Sequence, residues 1–165
     1  MTVVSDSSPL IVLAKLGCFH FLSQLYSQVY ISKEVHDEVV VAGAGLPGAS
    51  EVVISQWIDV RTVRNVVKLS AMKKSFALGA GELSTIILCK EINAEAVLLD
   101  DFHAREVARQ EGLRVRGTVG ILETLYRRGF VIDLRLMFQQ LIAHNVYIDK
   151  RLLDRRLRSL GLAPL

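Results

Sequence analysis

Five short β-rich runs, VVS, QVYIS, IDVRTV, AEAVLLD and LRVRG, alternate along this 165-residue chain with segments whose apolar residues recur at helical spacing. Such alternation with short connections predicts a parallel sheet covered by helices on both faces. Ser8 stands where it can N-cap a helix with Pro9 at its first position, and Gly17 stands where that helix would close. Ser32 can cap KEVHDEVVVAG, which runs into the flexible AGAGLPGAS. CFHFLSQLY and ASEVVISQW read as shorter helical pieces, residues 64–78 are ambiguous, and GAGELSTIILCKEIN reads as a long, mostly buried helix. FHAREVARQEG reads as a helix closed by Gly112, and from TVGILETLYRRG onward the chain is helical with a turn near Asn145. No repeat or linker interrupts this pattern. We expect one domain over residues 1–165, with a core over about 1–132 and a helical C-terminal extension over about 133–165.

With 51% hydrophobic and 22% charged residues, the chain has material for a real core. No run reaches the roughly 18 apolar residues of a membrane span, and the N-terminus lacks the basic region and cleavage site of a secretory signal. The expected location is the cytoplasm, with no membrane partner. Cys18 and Cys89 have no metal-site spacing and read as reduced core residues. The net charge of +3 hides a segregation: residues 1–100 carry 8 Lys/Arg against 10 Asp/Glu, and residues 101–165 carry 12 against 7. A basic C-terminal third is either a footprint for phosphate backbones or a solvated helical face. In RLLDRRLRSLGL, Leu152, Leu153, Leu157 and Leu160 share one helical side and most arginines lie elsewhere, as in a packed or partner-binding helix.

In a parallel sheet, ligands bind beyond the carboxyl ends of the strands, which directs attention to acids at those ends. Asp6 ends the first run, either in the crevice or as cap of the next helix. Asp100 and Asp101 follow AVLL directly, and adjacent carboxylates repel unless a cation or guanidinium offsets them. The plainer reading has Asp101 capping the helix from Phe102 and Asp100 paired with Arg105. Glu82, just inside its helix, is favoured there by the helix dipole, and its apolar surroundings invite a second role. With Val35, Val39 and Ala42 as the buried stripe of KEVHDEVVV, Glu38 flanks that stripe more closely than Glu34; we expect Glu38 inward, Glu34 and Asp37 solvated. Four carboxylates from four segments, if brought together, repel one another. A hard divalent cation, Mg²⁺ or Mn²⁺, offsets that repulsion and leaves positions open for phosphate oxygens. The chemistry implied is phosphodiester hydrolysis.

Three stretches, SDSSPLIVLAKLG, ISKEVHDEV and the continuous block LGAGELSTIILCKEINAEAVLLDDFHAREVARQEGLRVRGTVGIL, carry a resemblance that covers most of the chain. The sequence resembles the PIN-domain superfamily, and within it the DUF3368-type branch, relatives of the VapC-like toxin ribonucleases. Carried over by position, the four family acids fall on Asp6, Glu38, Glu82 and Asp101, with Asp6, Glu82 and Asp101 as metal ligands. Asp100 is auxiliary, and Ser8 is similar in place to the small hydroxyl residue that supports the first acid. The resemblance implies a three-layer α/β/α Rossmann-like fold around a central, mostly parallel sheet, a divalent-metal site, and single-stranded RNA as substrate. It also implies an antitoxin protein as partner and self-association as a dimer. Glu82 departs from the Asp more usual in such toxins and lengthens the reach by one methylene.

Arg105 and Arg109, four apart after Asp101, present guanidinia to a phosphate track or pair with Asp100 and Glu106; Lys73 and Lys74 pose the same choice. His20, His36, His103 and His144 have no partner at metal or triad spacing, although His103 lies close to the acidic pair. GAG before Glu82 lacks the ending of a P-loop. Thr118 either caps TVGILETLY or bonds a water near the crevice. A dehalogenase-type phosphatase would need a second Asp where Ser8 stands, and a receiver domain would need its acidic pair at the first strand. The alternative from another class is a PIN-like module that binds RNA or a protein without cutting, its acids serving as caps and ion-pair partners.

Overall fold

The computed structural model describes residues 1–165. In chain order, β1 (Thr2–Ser5) leads to α1 (Ser7–Lys15), a 3-10 turn (Phe19–Phe21), α2 (Leu22–Leu25) and β2 (Gln28–Ser32). Next come α3 (Lys33–His36), a π-helical segment (Asp37–Ala42), α4 (Ala49–Ile54), β3 (Ile58–Arg61), α5 (Val66–Ser75) and α6 (Ala80–Glu91). The chain closes with β4 (Ala96–Leu98), α7 (Phe102–Gln110), β5 (Val115–Arg116), α8 (Thr118–Arg127), α9 (Leu134–Ala143) and α10 (Lys150–Ser159). The five strands form one parallel sheet in the order β3-β2-β1-β4-β5, flanked by helices in three α/β/α layers.

Pairing sets Val3 beside Val29 and Ala96, and Val4 beside Tyr30 and Val97. Because successive side chains alternate between faces, Val4, Val97 and Leu99 join one core with Leu69 and Met72 of α5, Leu83 to Cys89 of α6, and Ala104, Val107 and Ala108 of α7. Val3, Val29, Ile31 and Leu98 take the opposite face and are also fully buried. Burial on both faces explains why the central strands read as continuous apolar runs rather than alternating ones. The chain steps from β1 to β2 on one side and later enters β4 on the other. The strand order therefore reverses between β1 and β4, and the carboxyl end of β1, with Asp6, stands at that reversal.

Residues Met1–Thr118 form one compact unit, which holds the whole sheet, and Val119–Leu165 form a second, helical one. Within the second unit Asp133 caps α9 and Asp149 caps α10. Asn145, at φ 55°, makes the expected turn between those helices. No helix is long and apolar enough to cross a membrane. Gly17 closes α1 in a left-handed conformation (φ +67°): its N–H donates to Ala14 and that of Cys18 to Leu13, the paired bonds of a Schellman close. Ser8, expected as the cap of α1, lies inside its first turn instead. Asp6 takes the cap position because its own N–H is held by the sheet, donating to the Leu98 carbonyl at 3.0 Å. Ala42, assigned to a buried stripe by α-helical spacing, is exposed, since the wider π turn carries it out of line with Val35 and Val39. The ambiguous stretch 64–78 contains α5, which starts at an Asn65 cap and buries only Leu69 and Met72.

Candidate active site

Asp6 directly follows β1, with an extended backbone (φ −76°, ψ 170°) and a carboxylate that closes no cap hydrogen bond. It is 4% exposed, and its Oδ1 has no hydrogen-bond partner. Burying an unpartnered carboxylate oxygen is unfavourable for the charged form. Burial is the main cause that raises the Asp6 pKa, to about 7 from 3.8; the Ser7 amide opposes the rise, while the charges of Glu82, Glu38 and Asp100 add to it.

Glu82 enters from the first turn of α6, where its Oε2 accepts the Gly79 N–H at 2.8 Å, at the positive end of that helix. Burial raises its pKa too, against the Gly79 bond, and the charges of Asp101 and Glu38 contribute to the rise. A crevice of about 440 Å³ is lined by Asp6, Ser7, Ser8, Glu34, Glu38 and the α6 start from Gly79 to Glu82. A Cβ on Gly81 would lie 3.0 Å from Glu38 Oε2 and 3.2 Å from Asp6 Oδ1. The missing side chain of Gly81 is what leaves room for those two carboxylates to share one space.

Glu38, expected inward, is exposed, although it lines the crevice and its Oε2 approaches Gly81; Glu34, expected in solvent, is half-buried, and its Oε2 is a second buried oxygen without a partner. It stands four residues before Glu38, and residues so spaced share a helix face; that spacing was the signal that could have found it. Asp37 turns away to pair with Lys33 at 2.8 Å. The two acid-bearing helices are tied together below the crevice. Ser32 Oγ accepts the Val35 N–H at 3.1 Å as cap of α3, and Ser84 Oγ of α6 donates to that same oxygen at 2.7 Å.

Asp101 is exposed and caps α7, its Oδ1 accepting the Ala104 N–H at 2.8 Å. Asp100 does not pair with Arg105. Its Oδ1 accepts the Thr118 N–H at 2.7 Å and its Oδ2 the Thr118 hydroxyl at 2.6 Å, so Thr118 serves as an anchor for Asp100. Ser8 Oγ also turns to Asp100, at 3.4 Å, rather than to Asp6. Arg105 Nη1 and Asp100 Oδ1 both approach the space beside Gly117, within 3.2 and 3.1 Å of where its Cβ would be. Arg109 is exposed and paired with Glu106 one turn back; Lys73, Lys74 and His103 are exposed.

No three Asp, Glu, His or Cys side chains stand around one point as a finished metal cage. The charged donors gathered at the crevice are nevertheless all carboxylates, with the Ser7 and Ser8 hydroxyls beside them, an all-oxygen set of the kind a hard divalent cation takes. Two of those oxygens, on Asp6 and Glu34, are buried without partners, so the chemistry of the crevice fits such an ion. Glu82 and Asp101 each give one oxygen to a helix amide and keep the other.

No curated protein matches the chain. One family model, DUF3368: PIN domain, matches residues 2–162. The match spans nearly the whole chain, and the parallel three-layer sheet with acids at the β1 and β4 ends accords with it. The chain belongs to the DUF3368 family of PIN domains, whose fold is of nuclease type.

Proposed function

We propose that the protein is a divalent-metal-dependent endoribonuclease that hydrolyses phosphodiester bonds of single-stranded RNA. The observation that carries this reading is Asp6: a buried carboxylate with an unpartnered oxygen, in the field of three other acids, at the strand-order reversal. A buried carboxylate kept only for stability would have donors at both oxygens, whereas the Ser7 amide leaves Asp6 Oδ1 without one. Asp6, Glu82 and Asp101 are the residues that would hold Mg²⁺ or Mn²⁺, which when bound supplies positive charge to a phosphodiester and makes water more acidic. Glu38, whose carboxylate reaches the space above Gly81 without engaging a helix amide, is suited to accept the proton of the attacking water. The amino end of α6 adds a positive dipole for the phosphate, and Arg105 a guanidinium. Asp100, fixed by Thr118 and Ser8, acts as support for the strand end. Arg109 would exchange Glu106 for phosphate. The family resemblance extends the reading to a toxin held by an antitoxin protein and working as a dimer.

The test is cleavage of a labelled single-stranded RNA in Mn²⁺, Mg²⁺ or EDTA, with wild type beside Asp6→Asn and Asp101→Asn. Metal-dependent cutting that falls by about 100-fold or more in folded variants supports the nuclease. RNA left intact by folded wild type with both metals refutes it. One observation favours the second reading, a binding module that does not cut: Glu82 and Asp101 both serve helix amides, and the acids form no finished cage. That reading expects retention of intact RNA, with Asp6→Asn binding as well as wild type or better.

A further inference from the structure

Residues 119–165 hold 8 Lys/Arg and 4 Asp/Glu, and all four acids are occupied within that unit. Glu123, 4% exposed, is gripped through both oxygens by Arg156. Asp133 and Asp149 cap their helices, and Asp154 accepts the Leu165 N–H at 2.7 Å. Among the cations, Arg156 has Glu123 and Arg135 has the Pro164 carbonyl; Arg127, Arg128, Lys150, Arg151, Arg155 and Arg158 have no side-chain partner. In the other unit five of the twelve cations, Lys33, Arg61, Lys68, Lys90 and Arg109, pair with a carboxylate, against one of eight here.

Three of the unpartnered cations share one line. Arg151, Arg155 and Arg158 follow i, i+4, i+7 spacing on α10 and are exposed, on the side opposite the fully buried Leu153 and Leu157. At 1.5 Å of rise per residue they succeed one another at steps of ~6 and ~4.5 Å along the axis. A protein partner would need apolar or aromatic anchors, and this stripe has none, the residues that flank it most closely being Ser159 on one side and Asp154, held by the Leu165 N–H, on the other. A membrane surface would need the leucines, of which Leu153 and Leu157 are fully buried and Leu152 and Leu160 half-buried. A phosphate backbone needs only the cations.

We propose that the Arg151, Arg155 and Arg158 stripe is a sequence-independent track for the phosphate backbone of single-stranded RNA, made of residues other than those of the acidic crevice. The choice of RNA rests on the nuclease reading; the track itself requires no cleavage. The experiment uses the full chain in EDTA, with fluorescence anisotropy of a labelled oligouridylate of about 16 nucleotides between about 50 and 200 mM salt. Wild type is compared with R151Q/R155Q/R158Q and with the triple lysine variant, each checked by circular dichroism and thermal melting.

The glutamine variant is expected to bind about tenfold more weakly at low salt, with a log–log salt slope shallower by about 2, because each phosphate neutralised on a single strand contributes about 0.7. The lysine variant is expected to keep the wild-type slope. Equal affinity and slope in the glutamine variant would overturn the proposal, and so would weaker binding with an unchanged slope. If the glutamine variant melts early, Arg155→Glu alone is read by the same slope. Polyglutamate that competes charge for charge as well as RNA would overturn the phosphate assignment in favour of an acidic protein. Failure of the nuclease reading leaves the salt slope measurable. Loss of the slope difference while cutting persists would remove the track alone.

Discussion

A methyl group on Gly81 would enter the space bounded by Glu38 Oε2 and Asp6 Oδ1, at 3.0 and 3.2 Å. Glu38 can swing its flexible end aside, but Asp6 is buried at the strand end and has little freedom. Within a helix, Gly→Ala by itself favours folding by about 0.5 to 1 kcal/mol. Gly81→Ala is therefore expected to change the melting temperature by only a few degrees, the helix gain offsetting the contact with Asp6, while lowering RNA cleavage by about 100-fold, because the acids no longer share one space. Wild-type cleavage by that variant would show that RNA does not react over Gly81. At this scale the sequence exposed Asp6, Asp100 and Asp101, since acids ending apolar runs stand out. Glu34 was hidden because the face was drawn from the apolar residues Val35, Val39 and Ala42 alone, without weighing its place one turn before Glu38. Thr118 stood out as a cap or crevice hydroxyl, but its partner was hidden, for Asp100 lies 18 residues away and no local pattern joins them.

The elements themselves were legible where two signals agreed. A β-rich run before an Asp or Ser, followed by helical spacing, marked β1, β2 and β4 and the helices after them. The π-helical segment Asp37–Ala42 had no such mark, because DEVVVA satisfies an α-helical pattern equally well; only the folded chain shows the wider turn. Nor does sequence show what sets α3 against α6. That is a buried pair of hydroxyls, with Ser84 donating to Ser32 while Ser32 also accepts the Val35 amide. Removing the Ser84 hydroxyl leaves Ser32 one bond fewer and frees the helix that carries Glu82 from the one that carries Glu38. Ser84→Ala is expected to lower stability by about 1 kcal/mol in urea unfolding. Cleavage should fall more than that loss implies, in kcat rather than KM, with Ser84→Thr recovering part of it. Unchanged kcat in a variant destabilised as expected would mean that the hydroxyl pair supports the fold alone.

For the molecule as a whole, composition suggested a weakly basic chain with acids and bases segregated, and the fold gives that segregation a consequence for stability. Asp6 titrates near 7 when folded against 3.8 for its ordinary value, and Glu82 is shifted in the same direction. A carboxyl whose folded pKa is raised favours the folded state below its unfolded pKa, and that advantage is lost as pH rises through the folded value. For Asp6 the loss begins near pH 4 and is complete a little above pH 7, on the order of 4 kcal/mol for the full shift. Asp37, Glu51 and Glu111 are lowered instead, so their contribution is lost only in more acid solution, leaving the interval from pH 5 to 8 to the crevice. About half of that loss, roughly 2 kcal/mol, falls between pH 5.5 and 8, so metal-free protein is expected to melt lower at pH 8 than at pH 5.5, by roughly 6 °C for a chain of this size. Asp6→Asn should flatten that dependence and melt higher than wild type at pH 8. Adding Mn²⁺ at pH 8 should raise the wild-type melting temperature and leave Asp6→Asn nearly unmoved, because the carboxylate that makes the empty crevice unfavourable is the one an ion would neutralise. A wild-type melting temperature that stays level or climbs from pH 5.5 to 8 would mean that Asp6 ionises without penalty and that the acids do not share the crevice in solution.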